Sequence, residues 1–480
     1  MGDSDGFRLS VSTPKSWLTI EGKPFVTVSS IGIINGGIEG TNNGADFGPD
    51  TPGTRTCGIQ EAINYVKSLA VPPIQLGFSA TYPFFVRLIG NSVFNVYTTI
   101  DDSAGVPLEG NGAQIQAASP FTPITVINGI TIPAALLTCV STGINLNGSD
   151  LFSNLVVGTN GIAAVNTTVY IRNVQKGVLR NLVLSATFNA LQLYSCNGMN
   201  IYSPIIRLAN QYGYQDNGNA NHIYGGWISR CNQSGGYAGV LLNGAQQITF
   251  DGTVIQYNSV EIALSGSCND IVFKGVWIED LSTTGNSGII TTDTTIKNSV
   301  LLDSCYFVGA IPILANVDYI DGFTVRDCFR YNSGTATLTV GNNSSNSIIR
   351  GGSLPEVTFT LPSPSLITEV ITYNPKGFSA TIPTNPPVSG TTYQNTLPVE
   401  VDIYIPITYN PTATSPAQAN GYISPVSPIT ASPVETNNVP AGLTTEAGLI
   451  RTMKLTVPPG WYWAVQVSNA TIGTAVPVGK

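Results

Sequence analysis

The sequence predicts an all-β protein: a right-handed, single-stranded parallel β-helix of three sheets, with an N-terminal capping helix and a C-terminal antiparallel β-sandwich. Three observations predict it. Charged residues make up only 10% of the 480-residue chain, while Gly numbers 50 and Pro 31; an ordinary globular domain carries about 25% charge. One short phrase recurs along the middle of the chain. After Leu354 that phrase stops and proline becomes dense.

The phrase is an apolar residue, a variable residue, a small or polar turn residue, two further positions and a second apolar residue. Its copies are VLRNLV (178–183), IYSPII (201–206), IYGGWI (223–228), FDGTVI (250–255), FKGVWI (273–278), LDSCYF (302–307), VRDCFR (325–330) and IRGGSL (349–354). The turn residues Arg180, Ser203, Gly225, Gly252, Gly275, Ser304, Asp327 and Gly351 follow one another at steps of 22 to 29 residues. A coil of three strands of about 5 residues each and three turns has that length, and longer steps mark inserted loops. Helical repeats require a 3.6-residue period, which is absent.

Coils stack about 4.8 Å apart, so equal offsets become neighbours. Asp251, Lys274, Asp303, Arg326 and Arg350 stand just before the turn and form an outward ladder of largely alternating charge. Cys305 and Cys328, one step after it, stack as inward thiols or as a disulfide. Two steps after the turn come Leu182, Ile205, Trp227, Val254, Trp277, Tyr306 and Phe329. With the flanking offsets inward, this row is an exposed stripe suited to sugar stacking or to a neighbouring subunit; with the facing reversed, it is a core stack.

The segment Gly44-Ala45-Asp46-Phe47-Gly48-Pro49-Asp50, followed by Thr56-Cys57-Gly58-Ile59-Gln60-Glu61-Ala62-Ile63-Asn64, resembles the entrance of the pectin lyase-like superfamily, which also occurs in viral tailspikes. There it leads into a helix that caps the first coil. Gly53, Thr54 and Arg55 replace the family's acidic pair. A cap covers strand edges that an open end exposes, and Ile59, Ala62, Ile63 and Val66 give residues 60–66 an apolar face. The expected organisation is 1–43 an extended attachment segment, 44–75 the cap, 76–360 the β-helix and 365–480 the sandwich. In the last, 399–408, 453–457 and 460–468 alternate like antiparallel strands.

With 20 Lys+Arg and a pI near 4.7, no basic stripe exists to neutralise phosphates, which excludes nucleic acid as a partner. No run of about 18 apolar residues predicts a membrane span, and the first 30 residues lack a signal-peptide pattern. Seven cysteines without a CxxC pair and a single histidine predict no metal site and no cofactor. Sequons at Asn147, Asn166, Asn232, Asn342, Asn343 and Asn469 fit an extracellular setting.

Enzymes of the resembled superfamily carry an Asp-Asp pair with Gly-His-Gly and Arg-x-Lys, or calcium-binding aspartates with a catalytic arginine. The chain has no such set: Asp101-Asp102 precedes the recognisable coils, and His222 sits in Asn221-His222-Ile223. Asp251 and Asp303 read as ion-pair partners of Lys274 and Arg326. A catalytic cleft, if present, falls at Glu279 and Asp280, with Asp293 in the insert 282–298. The loop 210–221, bearing Tyr212, Tyr214 and Asp216, is a second glycan-contact candidate beside Trp227, Trp277, Tyr306 and Phe329. The expectation is a virion surface spike or adhesin, a homotrimer held among other virion proteins, that meets host-surface glycans outside the cell. The alternatives are a glycoside hydrolase or polysaccharide lyase of the same fold, and a cellular adhesin or surface-layer component.

Overall fold

A computed structural model describes residues 19–20, 23–31, 45–70, 82, 84–89, 92–231, 237–280, 287–331, 335–362, 365–368, 370, 387–395, 400–412, 414–427, 432–442, 447–458 and 460–479. The chain divides into two compact units, 1–347 with 360–364, and 348–359 with 365–480.

The first unit is a parallel β-helix. Its ladder sheet gathers the strands that precede the recurring turn, from Lys23–Val28 and Phe85–Leu88 to Ile320–Arg326. Its stripe sheet gathers those that follow, from Val93–Thr98 to Phe329–Tyr331. A third sheet runs from Ile100–Asp101 to Ala336–Val340. Parallel crossovers of this kind wind right-handed, because a right-twisted strand packs back on its sheet only that way.

Apolar residues at one offset pile into a column. Val86, Leu108, Phe152, Leu179, Ile201, Ile223, Phe250, Phe273, Leu302 and Val325 are in register from coil to coil, and all are buried. The rings of Phe250 and Phe273 stack at 5.2 Å. Each such side chain contributes about 1.5–3 kcal/mol through burial.

The corner between ladder and stripe is a left-handed residue: Asn181, Ser203, Gly225, Gly252, Gly275, Ser304 and Asp327 have φ of 50°, 49°, 60°, 67°, 58°, 53° and 51°. This corrects the first copy of the phrase by one residue, since the turn is Asn181 and not Arg180, and Val183 replaces Leu182 in the stripe. Val178 and Leu179 are both buried, so the apolar pattern fits either register; only the tolerance of Asn for the left-handed region separates them.

The charge ladder stands outside this corner. Lys274 Nζ lies 3.2 Å from Asp251, and Arg326 Nε donates to Asp303 at 3.1 Å. The ladder extends into coils that the phrase did not reveal. There Arg87 pairs with Glu109 at 3.4 Å; in the first copy Arg180 reaches back to Asp150, off the ladder offset, at 2.8 Å, and its guanidinium lies over Tyr202, which stacks on Tyr224 at 4.9 Å. Inside the corner, Cys305 and Cys328 are buried free thiols and not a disulfide; their Sγ atoms donate to the carbonyls of Phe273 at 3.2 Å and Leu302 at 3.6 Å.

Helix Ile59–Ser68 closes the first coils and buries Ile59, Ala62, Ile63 and Val66. Threonines tie down the start of the helix: Thr54 Oγ1 and Thr56 Oγ1 donate to Glu61 at 2.9 and 3.2 Å, and Gln60 N donates to Thr56 Oγ1 at 3.1 Å. Strand Lys23–Val28 pairs in parallel with Phe85–Leu88, so coil structure already occurs inside the expected extended segment 1–43, most of which lies outside the described residues. The buried side chains of Val26 and Val28 account for this.

The second unit opens on a parallel pair, Ile348–Arg350 with Leu366–Thr368, and continues as antiparallel sheets. One orders Tyr393–Gln394, Tyr462–Ser468, Ala417–Ser424 and Glu435–Val439; the other sets Val401–Tyr409 between Leu449–Val457 and Ala470–Ile472. Ile403, Ile405, Ile407, Met453, Leu455 and Trp463 share one core, as the alternation of these strands requires.

Candidate functional site

The outer surface of the stripe sheet carries Val183, Ile205, Trp227, Val254, Trp277, Tyr306 and Phe329 in one continuous register. The residue after each points into the helix and is buried, Arg330 included, so alternation turns this row outward. Trp227 is 48% exposed and Trp277 is 36% exposed. Trp277, Tyr306 and Phe329 follow one another with ring centroids 5.9 and 5.7 Å apart, and Tyr306 also stacks on Tyr331 at 5.9 Å. The stripe is therefore a surface row and not a core stack.

Two positions further along each strand runs a parallel row in which the polar Ser229, Gln256 and Glu279 are in register and Val308 follows. Glu279 is held by two donors: Trp277 Nε1 at 2.8 Å on its own strand and Tyr257 OH at 3.0 Å from the preceding coil. Its carboxylate is thus fixed beside an exposed indole. Tyr257 was not foreseen, because its link to Glu279 is a coil offset and not a motif.

Asp280 and Glu279 do not act on one face. Along Trp277–Asp280 exposure alternates, and Asp280 is buried where Glu279 is not. Inside, Asp280 lies near Glu261, also unforeseen. Burial pushes the Glu261 carboxyl well above its ordinary range, against hydrogen bonds from Asn258, and the Asp280 charge raises it further. Asp293 is engaged by structure as well. It accepts from Gly266 N at 2.6 Å, Ser265 Oγ at 2.7 Å, Thr295 N at 3.0 Å and the fully buried Lys297 Nζ at 2.9 Å. Burial works to raise its pKa, yet those donors hold it well below the carboxylate range.

The loop candidate divides. Tyr212 is half-buried and packs edge-on against Tyr237 at 5.2 Å. Tyr214 and Asp216, at 1% and 0% exposure, lie inside the β-helix, which corrects their expected glycan contact. Asp216 accepts from Tyr214 OH at 2.6 Å, Gly218 N at 2.7 Å and Asn221 Nδ2 at 3.0 Å. These polar side chains satisfy one another inside the coil, and burial lifts the Asp216 carboxyl to about 6. Among the described residues no group of three or more His, Cys, Asp or Glu is placed to hold a metal ion, and no helix is long and apolar enough to cross a membrane.

No family model and no curated protein matches the chain. Solved structures similar to it include the Streptococcus pneumoniae surface protein and adhesin PfbA, at 11% identity and a TM-score of 0.42, covering 66% of this chain and 93% of that one. The enzymatically active domain of bacteriophage CBA120 tailspike protein 2 gives 11% and 0.44, covering 88% and 73%. A double mutant of the tailspike protein of E. coli bacteriophage HK620 gives 12% and 0.42, covering 95% and 92%.

Proposed function

We propose that the chain is a virion surface spike, an adhesin whose rigid β-helix meets host-surface glycans without cleaving them. The row Trp227, Trp277, Tyr306 and Phe329 supports this reading above all else. Sugars present C–H faces that stack on aromatic rings and hydroxyls that seek fixed acceptors. Here rings repeat along one face, and Glu279 supplies a positioned acceptor beside the most fully bonded of them. A glycan lying along the coils would meet ring after ring at multiples of the coil spacing.

Hydrolysis requires a second carboxyl about 5 Å or about 6.5–9.5 Å from the first. At the register of Glu279 the neighbouring coils place Gln256 and Val308, and the next two Ser229 and Tyr331, so no carboxylate flanks Glu279 in its own row among these described residues. A homotrimer among other virion proteins, outside the cell, completes the proposal; the resemblance at 44–64 is its support.

Host-surface glycans incubated with the protein provide the test. The expected result is retention on the glycan, weakened by Trp227→Ala and Trp277→Ala, with no new reducing ends. Release of reducing ends that disappears in Glu279→Ala would establish the glycoside hydrolase or lyase reading instead. Sedimentation gives the oligomeric state, and a monomer would remove the trimer from the proposal.

A further inference from the structure

We infer that the cavity beside the capping helix is a second saccharide site, one that takes a single neutral sugar residue end-on. The cavity, of about 440 Å³, lies within the first unit, and the capping helix, the segment Asp101–Ala104, the hairpin tip at Asn128 and the end of strand Ala135–Asn145 line it. That volume is in the range of small-ligand sites, yet its lining departs from the usual apolar one. Amides and hydroxyls dominate it, among them Gln60, Asn64, Ser141 and Thr142, with one ammonium, Lys67, and one carboxylate, Asp101. A ligand matching this set offers many hydroxyls, each both donor and acceptor, and no net charge.

Two features show that the wall is built. Strand Ala135–Asn145 pairs with Thr167–Gln175 in steady register until Val140, then shifts, so that Val140 faces Arg172 and Ile144 faces Val174. Ser141, Thr142 and Gly143 thus stand against Asn173 alone, two residues in excess, all three line the cavity, and bulges gather beside sites because they re-aim side chains. Gly143 holds φ +134° although a Cβ there would meet no atom within 4 Å, so packing does not demand glycine; the backbone path does. The opposite wall is pinned. Gln60 Nε2 donates to Asp101 O at 2.9 Å while its Oε1 accepts from Asp101 N at 2.7 Å, and Tyr82 OH donates to Ala104 O at 2.6 Å. On the helix, Gln60, Asn64 and Lys67 share one face by their spacing, and Lys67 forms no ion pair within 4 Å among the described residues.

The inference deepens the glycan reading and rests on it for the choice of sugars, but its test uses monosaccharides, which are too short to span the stripe. The full chain is titrated calorimetrically with a panel of neutral hexoses, N-acetylhexosamines and hexuronates. At least one neutral sugar is expected to bind. Thr142→Trp, which fills the cavity, should abolish binding, and Lys67→Met should weaken it about tenfold through loss of a charged donor. Lys274→Glu, on the ladder, should leave it unchanged. Thermal unfolding of each variant at the wild-type midpoint shows that the fold is kept. Failure of every neutral sugar to bind, preference for the hexuronates, or binding that survives Thr142→Trp would overturn the inference. Loss of polysaccharide retention in Trp277→Ala reports on the stripe alone.

Discussion

The ladder sheet and the stripe sheet meet at the same left-handed corner, and their outer surfaces are built from the same coils, yet they treat their side chains in opposite ways. On the ladder, Asp251 meets Lys274 and Asp303 meets Arg326, so each side chain's strongest partner is the next coil. On the stripe, Trp227 and Trp277 leave much of their ring surface in water. A surface that satisfies itself reports on stability; one that leaves aromatic rings uncovered marks a place for something else. The difference arises within one repeat, from the two sides of one corner.

The deepest cut at this contrast removes what both faces share. Phe273→Ala opens the interior column between Phe250 and Leu302 and should cost about 3–5 kcal/mol, read as a lower midpoint in chemical unfolding. A drop confined to one sheet's amide protection would show that the faces are not carried by a common core.

Acids inside and outside the coil sharpen the comparison through pH. Burial raises the Asp216 carboxyl from 3.8 to about 6, so the folded state holds that proton more tightly than the unfolded chain. Its stabilisation is complete below pH 3.8 and is lost as pH rises to about 6, a difference of roughly 3 kcal/mol. Asp303 behaves in reverse: the Arg326 guanidinium depresses its pKa, so its contribution is present above the ordinary carboxylate value and is lost as pH falls below it. Asp216→Asn should flatten the dependence of the unfolding midpoint between pH 4 and 6. Asp303→Asn should leave that window and weaken the acid-side loss.

A smaller effect separates binding from folding. Trp277→Ala should reduce glycan retention about tenfold, near 1.4 kcal/mol, with the unfolding midpoint unchanged because the ring is partly exposed. The smallest belongs to the ladder. Lys274→Glu sets three acids in succession with Asp251 and Asp303 and should lower stability by less than about 1 kcal/mol. Added salt should erase the loss, and glycan retention should not change.

The coils between 201 and 330 were legible because their corners repeat one phrase and their interior residues alternate strictly. The earlier coils were not. Phe152-Ser153-Asn154-Leu155-Val156 is a further copy of the corner, with Asn154 left-handed at φ 54°, but the hairpin Val126–Ile127 with Ile130–Thr131 and the long strand Ala135–Asn145 stretch the spacing before it. At the site, alternation gave the row from Ile205 onward but left its facing open, which the burial of the flanking residues decides. The partners of its acid were not readable, because Tyr257 reaches Glu279 from another coil. Tyr214 and Asp216 misled for a physical reason: a polar cluster that bonds to itself can be buried, and composition does not tell it from a solvated loop.

The buried, unpaired thiols have a consequence for how the coil closes. Cys139, Cys196, Cys231, Cys268, Cys305 and Cys328 are all buried and unbridged, and burial lifts the Cys196 and Cys231 thiols to about 12, far from the reactive thiolate. Closure of the coil therefore owes nothing to oxidant. The coil can close under reducing conditions, and these six thiols stay shielded when the surroundings become oxidising.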